Sequence, residues 1–65
     1  MVKIIKAKGY SERYQYEAEL YAFSNINKKI KSENIKKEDI IDYKAKEWYD
    51  HDYLYYEISI TYWVD

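Results

Sequence analysis

From residue 53 to residue 64 the chain alternates. Leu54, Tyr56, Ile58, Ile60, Tyr62 and Val64 are large and mostly apolar, and between them stand Tyr53, Tyr55, Glu57, Ser59, Thr61 and Trp63, which are polar or amphipathic. A period of two with one apolar side is the pattern of a half-buried strand. A weaker pattern opens the chain, where residues 2–8 read as a strand with Val2, Ile4 and Ile5 apolar among Lys3, Lys6 and Lys8. Its faces stay ambiguous, because the adjacent Ile4 and Ile5 would point to opposite sides unless a bulge intervenes. Gly9, the only glycine, is expected to end this strand by supplying a backbone angle that other residues resist.

Between these ends the period changes. Ser11 followed by Glu12 reads as a helix start, the hydroxyl serving as N-cap and the acid lying in the first turn where the helix dipole favours it. Tyr16, Leu20, Phe23, Ile26 and Ile30 then recur at spacings of four and three, which predicts one apolar stripe lying on the sheet. Tyr14, Glu17, Tyr21 and Lys28 fall on the opposite face, and Lys28, Lys29 and Lys31 occupy the last turns, where positive charge is stabilising. Residues 14–23 also fit a strand, since Tyr14, Tyr16, Ala18, Leu20 and Ala22 alternate with Gln15, Glu17 and Glu19. The helix is preferred because Glu, Ala, Leu and Gln favour it; the strand reading would shorten the helix to residues 25–32.

After a charged connection at 34–39, residues 40–49 predict another strand, in which Ile41, Tyr43 and Ala45 face the helix and Asp42, Lys44, Lys46 and Trp48 face away. For its apolar side to meet that of the last strand, paired residue numbers must sum to an odd number. A two- or four-residue turn around Asp50-His51-Asp52 achieves this, whereas a three-residue loop would put Lys44 in the core. Either permitted register sets Glu57 opposite Lys44 or Lys46, an opposite-charge pair worth about 0.2–1 kcal/mol. The fold class is therefore α+β: a β-α-β-β domain with one helix on a small antiparallel sheet whose other face is left uncovered and available for assembly.

Sixty-five residues make a single domain, and a chain of that length buries only about 60% of its unfolded surface. Small folds recover stability with disulfides, a metal or self-association. There is no Cys, and one His without Cys does not make a structural zinc site, so a homo-oligomer is the expected device. Eleven basic against twelve acidic residues give no overall attraction to nucleic acid or to an anionic membrane. No apolar run approaches the roughly 18 residues that span a bilayer, and Met1-Val2-Lys3-Ile4-Ile5-Lys6 is too charged for a secretory leader, so a cytoplasmic protein is expected. Ten tyrosines are the outstanding feature of the composition. Lys and Ile are abundant too, and a general preference for residues with A/T-rich codons is the bland expectation for part of that excess. Tyrosine nonetheless supplies a large apolar body with a polar tip, which suits interfaces and stacking sites.

The uncovered face is expected to carry Trp48, Tyr53, Tyr55 and Trp63 together with Lys44 and Lys46, and these six are the candidate ligand-binding or interface residues. Aromatic surface of this extent marks an interaction site: a second copy of the chain, a planar or nucleotide-like molecule stacked on the rings with its phosphate on a lysine, or a protein partner. His51 between Asp50 and Asp52 is read as a polar turn, since neighbours in a turn do not readily converge on one ion. The lysines at 28, 29, 31, 36 and 37 are interrupted by acids and read as a solvated helix end. No Cys is present and no base is placed beside a serine, so an enzyme is not expected.

The order strand, helix, hairpin, closing on Tyr55-Tyr56-Glu57-Ile58-Ser59-Ile60-Thr61-Tyr62, resembles the dodecins, small β-α-β-β proteins that sequester flavin within hollow homo-oligomers. Glu19-Leu20-x-x-Phe23 followed by Asp39-Ile40-Ile41-Asp42-Tyr43-Lys44 is similar to small sporulation- and phage-associated proteins of Gram-positive bacteria. The dodecin resemblance implies a Trp early in the second strand and a Gln in the third. Here Trp48 lies late in its strand and the only glutamine, Gln15, lies on the helix. No flavin-binding residue carries over, and the cofactor is left open. The sequence-level expectation is a non-enzymatic homo-oligomeric binding protein, phage-encoded, that sequesters a planar or nucleotide-like ligand between subunits; the alternative is an interaction module, such as a viral inhibitor, that docks its aromatic face on a host protein.

Overall fold

A computed structural model describes all of residues 1–65. Strand β1 (Val2–Ser11) is followed by helix α1 (Gln15–Ser32), a single 3-10 turn at Lys37–Asp39, and strands β2 (Ile40–Asp50) and β3 (Tyr53–Trp63). The three strands form one antiparallel sheet in the order β1-β3-β2, with the alternating C-terminal strand at its centre. Central placement suits β3, since Ile58, Ile60 and Tyr62 are buried on one of its faces. Within the segment 14–23, residues 15–23 are helical and Tyr14 is the N-cap, so the segment is not a strand.

The hairpin between β2 and β3 closes with two residues, His51 and Asp52, both at positive φ (50° and 68°). Two consecutive left-handed residues make the tight turn whose twist matches antiparallel strands. Asp50 therefore pairs with Tyr53 and Lys46 with Glu57, whose charged groups lie 3.5 Å apart. A bulge follows at the other end of β2, where Ile40 opposes Tyr62 but Asp42 opposes Thr61. It corrects one expectation: Ile40 packs against the core and Ile41, expected to face the helix, is exposed.

Gly9 departs from its expected role. It lies inside β1, which runs on to Ser11, and its φ is not positive. What requires glycine there is space, because an added Cβ would stand 2.1 Å from the carbonyl oxygen of Ala18 and 2.4 Å from the amide nitrogen of Ala22. The helix backbone thus rests directly on the strand backbone. Ala7, Ala18 and Ala22, all buried, continue this small-residue seam, and Ile26, Ile58 and Ile60 fill the space beside it.

The seam also corrects the expected helix stripe. Ala18, Ala22 and Ile26 are the buried residues of α1, while Tyr16 and Leu20 are 59% and 61% exposed. The helix is rotated by about a quarter turn from the face its large residues predict. It sits over β1 and β3 and reaches β2 through Phe23, which stacks on Tyr43 at 6.5 Å between ring centres. Beyond it the helix-side residues Tyr43 and Tyr49 of β2 lie open.

The helix begins later than expected. Tyr14 occupies the N-cap position without a side-chain cap, and Ser11 instead braces the turn before it, accepting the amides of Arg13 and Tyr14 and donating to Glu17, each at 3.2 Å. Asn34 ends the helix at φ 53°, and the Ile35 amide reaches back to the Ile30 carbonyl at 3.0 Å, the bonding of a left-handed helix stop.

Replacing Gly9 with Ala is expected to lower stability by about 3 kcal/mol, the upper range for overpacking, because the clash is with backbone and cannot be relieved by a rotamer. In a domain of this size that is a fall of roughly 12–24 °C in Tm. A Tm close to that of the parent, by circular dichroism, would contradict the seam.

Candidate functional site

Strand register decides which side chains share the face away from the helix. Across the end of the sheet nearest the hairpin, Tyr10, Tyr55 and Trp48 form one row, from the pairs Tyr10↔Tyr55 and Trp48↔Tyr55. The next row on the same face is Lys8, Glu57 and Lys46, and the one after it Lys6, Ser59 and Lys44. Alternate residues along a strand are about 7 Å apart. An aromatic row is thus bordered by four lysines and a single acid.

Within the aromatic row the rings touch. Trp48 and Tyr55 are stacked, with centres 5.3 Å apart and planes 9° from parallel, and the Lys46 ammonium lies 5.4 Å from the Trp48 ring centre. Tyr10 meets Tyr53 edge to face at 5.5 Å and Tyr55 at 6.1 Å. Tyr53 donates its hydroxyl to Glu12 at 3.3 Å, which ties the cluster to the loop before the helix. Lys46 is shared between its ion pair with Glu57 and the Trp48 ring, and Lys44 has no ion-pair partner.

Of the six candidate residues, Trp48, Tyr53, Tyr55 and Lys46 come together in this cluster, with Lys44 further along the face, beyond Lys46. Trp63 does not join them. It pairs with Val2 at the far end of the sheet, about 27 Å from Tyr55 along the strand, and is 55% exposed. Three participants were missed: Tyr10, Lys8 and Lys6. All lie on β1, whose faces Ile4 and Ile5 left undecided; Ile5 packs on the core without a bulge, which turns Ile4, Lys6, Lys8 and Tyr10 to the uncovered side.

A concavity lies elsewhere. An open groove of about 800 Å³ runs between the end of β1 and the first turns of the helix, lined by Lys8, Arg13 and Lys28 and by Glu12 and Glu17 among others. Its acids are engaged, Glu12 by Tyr53 and Glu17 by Ser11, and it meets the aromatic cluster at Tyr10. The aromatic row is a flat platform and not a cavity, and it is the platform that combines stacked rings with an ordered row of lysines. His51, at the hairpin tip, lies 2.6 Å from Asp50 and belongs to the turn.

Three hydroxyls have pKa values raised above the ordinary tyrosine value of 10.0. Tyr53 is raised chiefly by the negative charge of Glu12, Tyr49 chiefly by that of Asp52, and Tyr56 chiefly by lost hydration, with Tyr43 adding to it. In each case the neutral phenol is the favoured folded form. The contribution is fully present below about pH 10 and is lost as pH rises through the folded values. Substituting Glu12→Gln should bring the Tyr53 titration down toward the ordinary value, followed by NMR of the ring carbons; an unmoved titration would show that the Glu12 contact is absent in solution.

No helix is long and apolar enough to cross a membrane. No family model, curated protein or solved structure matches the chain.

Proposed function

We propose that this chain is a non-enzymatic, self-associating binding protein that sequesters a planar, nucleotide-like ligand on its aromatic sheet face. The observation that carries the reading is the row of Tyr10, Tyr55 and Trp48 set beside the row of Lys8 and Lys46 and the further row of Lys6 and Lys44. Stacking on such rings contributes about 1–3 kcal/mol per base and tolerates many planar groups. Lysines about 7 and 14 Å along the face stand within reach of a phosphate chain that begins at the stacked ring. A flat platform exposes the other side of the ligand to solvent, so a second subunit improves the site by covering it. Self-association is supported separately by the small core and by the shape of the chain: its radius of gyration is 12.7 Å, against about 11 Å for a compact chain of this length.

A second reading has its own support. Trp63, Val2 and Ile4 are exposed at the far end of the same face, with Thr61 and Ser59 between them and the cluster. In a molecule 41 Å in its longest dimension, a face with apolar anchors at both ends suits a protein partner better than one small molecule. Such a partner would be, for example, a host protein met by a viral inhibitor.

Fluorescence separates the two. Titration with adenosine triphosphate or flavin mononucleotide should quench Trp48 saturably, and the response should persist in Trp63→Phe and vanish in Trp48→Phe. Lys8→Ala should weaken binding by about fivefold, the effect of one exposed charge contact near 1 kcal/mol. Absence of any response to either nucleotide would overturn the ligand reading and favour the protein partner.

A further inference from the structure

The two edges of the sheet are treated differently. In a two-residue hairpin the pair flanking the turn, here Asp50 and Tyr53, is hydrogen bonded, and bonded pairs recur at every second residue. Even-numbered residues of β2 therefore bond inward to β3, and Tyr43, Ala45, Glu47 and Tyr49 turn their backbone N–H and C=O groups outward. The same parity turns Lys6 and Lys8 outward on β1. There the outward carbonyls are occupied: the Asn25 side-chain amide donates to the Lys8 carbonyl at 2.8 Å, and the Lys29 ammonium donates to the Lys6 carbonyl. The helix, displaced over β1 by the Gly9 seam, closes that edge with its own side chains.

Nothing in the chain does this for β2. None of its outward backbone groups has a partner elsewhere in the molecule. The strand is 11 residues long, has no proline, and is regular from Asp42 to Asp50. A long regular edge without such protection is a template for another strand. On the helix side the strand carries the exposed Tyr43 and Tyr49, with Phe23 stacked on Tyr43 and Leu20 exposed three residues earlier on the helix.

We infer that β2 pairs antiparallel with β2 of a second copy across a two-fold axis, forming a continuous six-stranded sheet with both helices on one face. This rests on the reading that the chain self-associates; the edge contact forms without ligand, is separate from the covering of a ligand on the aromatic face, and leaves that face free. A second copy is the occupant because the strand, run antiparallel to itself, can set its own acids Asp42 and Asp50 against its own lysines. Centring the axis on Ala45 sets Lys44 beside Lys46 of the other copy twice, and centring it on Lys44 sets that lysine against itself. Centred on Tyr43, Asp42 opposes Lys44 of the other copy, and the symmetry repeats the pair. Like charges directly opposed are unfavourable and opposite charges favourable. A Trp48-centred register also opposes Lys46 to Asp50 but pairs only residues 46–50. The Tyr43 register pairs residues 40–46, with the bulge at its ends, and is the one selected. It gives Lys44, unpaired within the chain, a carboxylate. It also sets the exposed Tyr43 of one copy against Tyr43 of the other on the helix side, while Tyr49 lies beyond the paired stretch. Lys6, Lys8 and Lys46 remain on the platform, which becomes one face of the longer sheet.

The test is the mass of the purified protein in solution without added ligand, by sedimentation equilibrium and native mass spectrometry. Twice 8.1 kDa is expected. Ala45→Pro removes an outward N–H while leaving the bonds to β3 in place, and should give a folded monomer. Lys44→Asp should weaken the dimer by about tenfold through two reversed pairs, and adding Asp42→Lys to it should restore the parent affinity. The exchange of charges remains decisive if the proline variant fails to fold. A monomer at all concentrations, or a dimer indifferent to both Ala45→Pro and Lys44→Asp, would overturn the inference. A dimer that ignores nucleotides would leave it standing and overturn the ligand reading alone.

Discussion

The contact between two backbones at Gly9 governs the rest of this molecule. Helix–sheet packing is normally set by large side chains meeting in the middle of the sheet, which places the helix centrally. Here glycine and alanines let the chain approach itself without side chains between, and the place where that is possible lies over an edge strand. Everything asymmetric about the fold follows. The helix seals the β1 edge, its larger residues overhang toward β2, and β2 keeps both an open edge and an open helix-side face. Within the chain the core is left with few large side chains, and the helix-side residues Tyr43 and Tyr49 of β2 stay exposed.

The opposite face is organised by register alone. No loop shapes it and no helix crosses it; cross-strand pairing lines up the rings in one row and the lysines in the next. Such a face has little capacity to enclose a ligand, so its chemistry is that of stacking and charge. The chain as a whole is nearly neutral, with a net charge of -1, yet these rows are locally basic. Balance elsewhere comes from acids at Glu12, Asp50 and Asp52, which are occupied by tyrosine hydroxyls and the turn histidine. Separation of the two signs, and not their sum, gives the platform its character.

How far the sequence revealed this depends on the element. The alternation of β3 was legible in both placement and facing, because every second residue is large and apolar. The parity condition on the hairpin was legible too, since a wrong register would have buried Lys44. What escaped is whatever small residues decide. Gly9 read as a strand terminator because a glycine's use as a gap is visible only when the partner backbone is known. Tyr16 and Leu20 read as core because apolar volume is the signal a helical wheel weighs, whereas the actual contact uses Ala18 and Ala22, whose smallness carries little weight in such patterns. On the uncovered face, the nearness of Trp48, Tyr55 and Lys46 was legible because the hairpin register fixes them. Tyr10, Lys8 and Lys6 were not, because the first strand has apolar residues on both faces and only its pairing with β3 orients them. Trp63 was grouped with the cluster by face alone, which ignores distance along the strand.

The seam can be observed directly in solution from proton–proton contacts measured by NMR. A helix resting on Gly9 gives strong cross-peaks from the Gly9 α-protons to the protons of Ala18 and Ala22, and leaves the Leu20 methyls silent toward Ile58 and Ile60. Cross-peaks from Leu20 or Tyr16 to Ile58 and Ile60, with Gly9 showing no contact to the helix, would mean that the helix sits centrally on its large residues. In that case β2 would be covered, its edge position would lose its significance, and Gly9 would no longer explain the asymmetry of the fold.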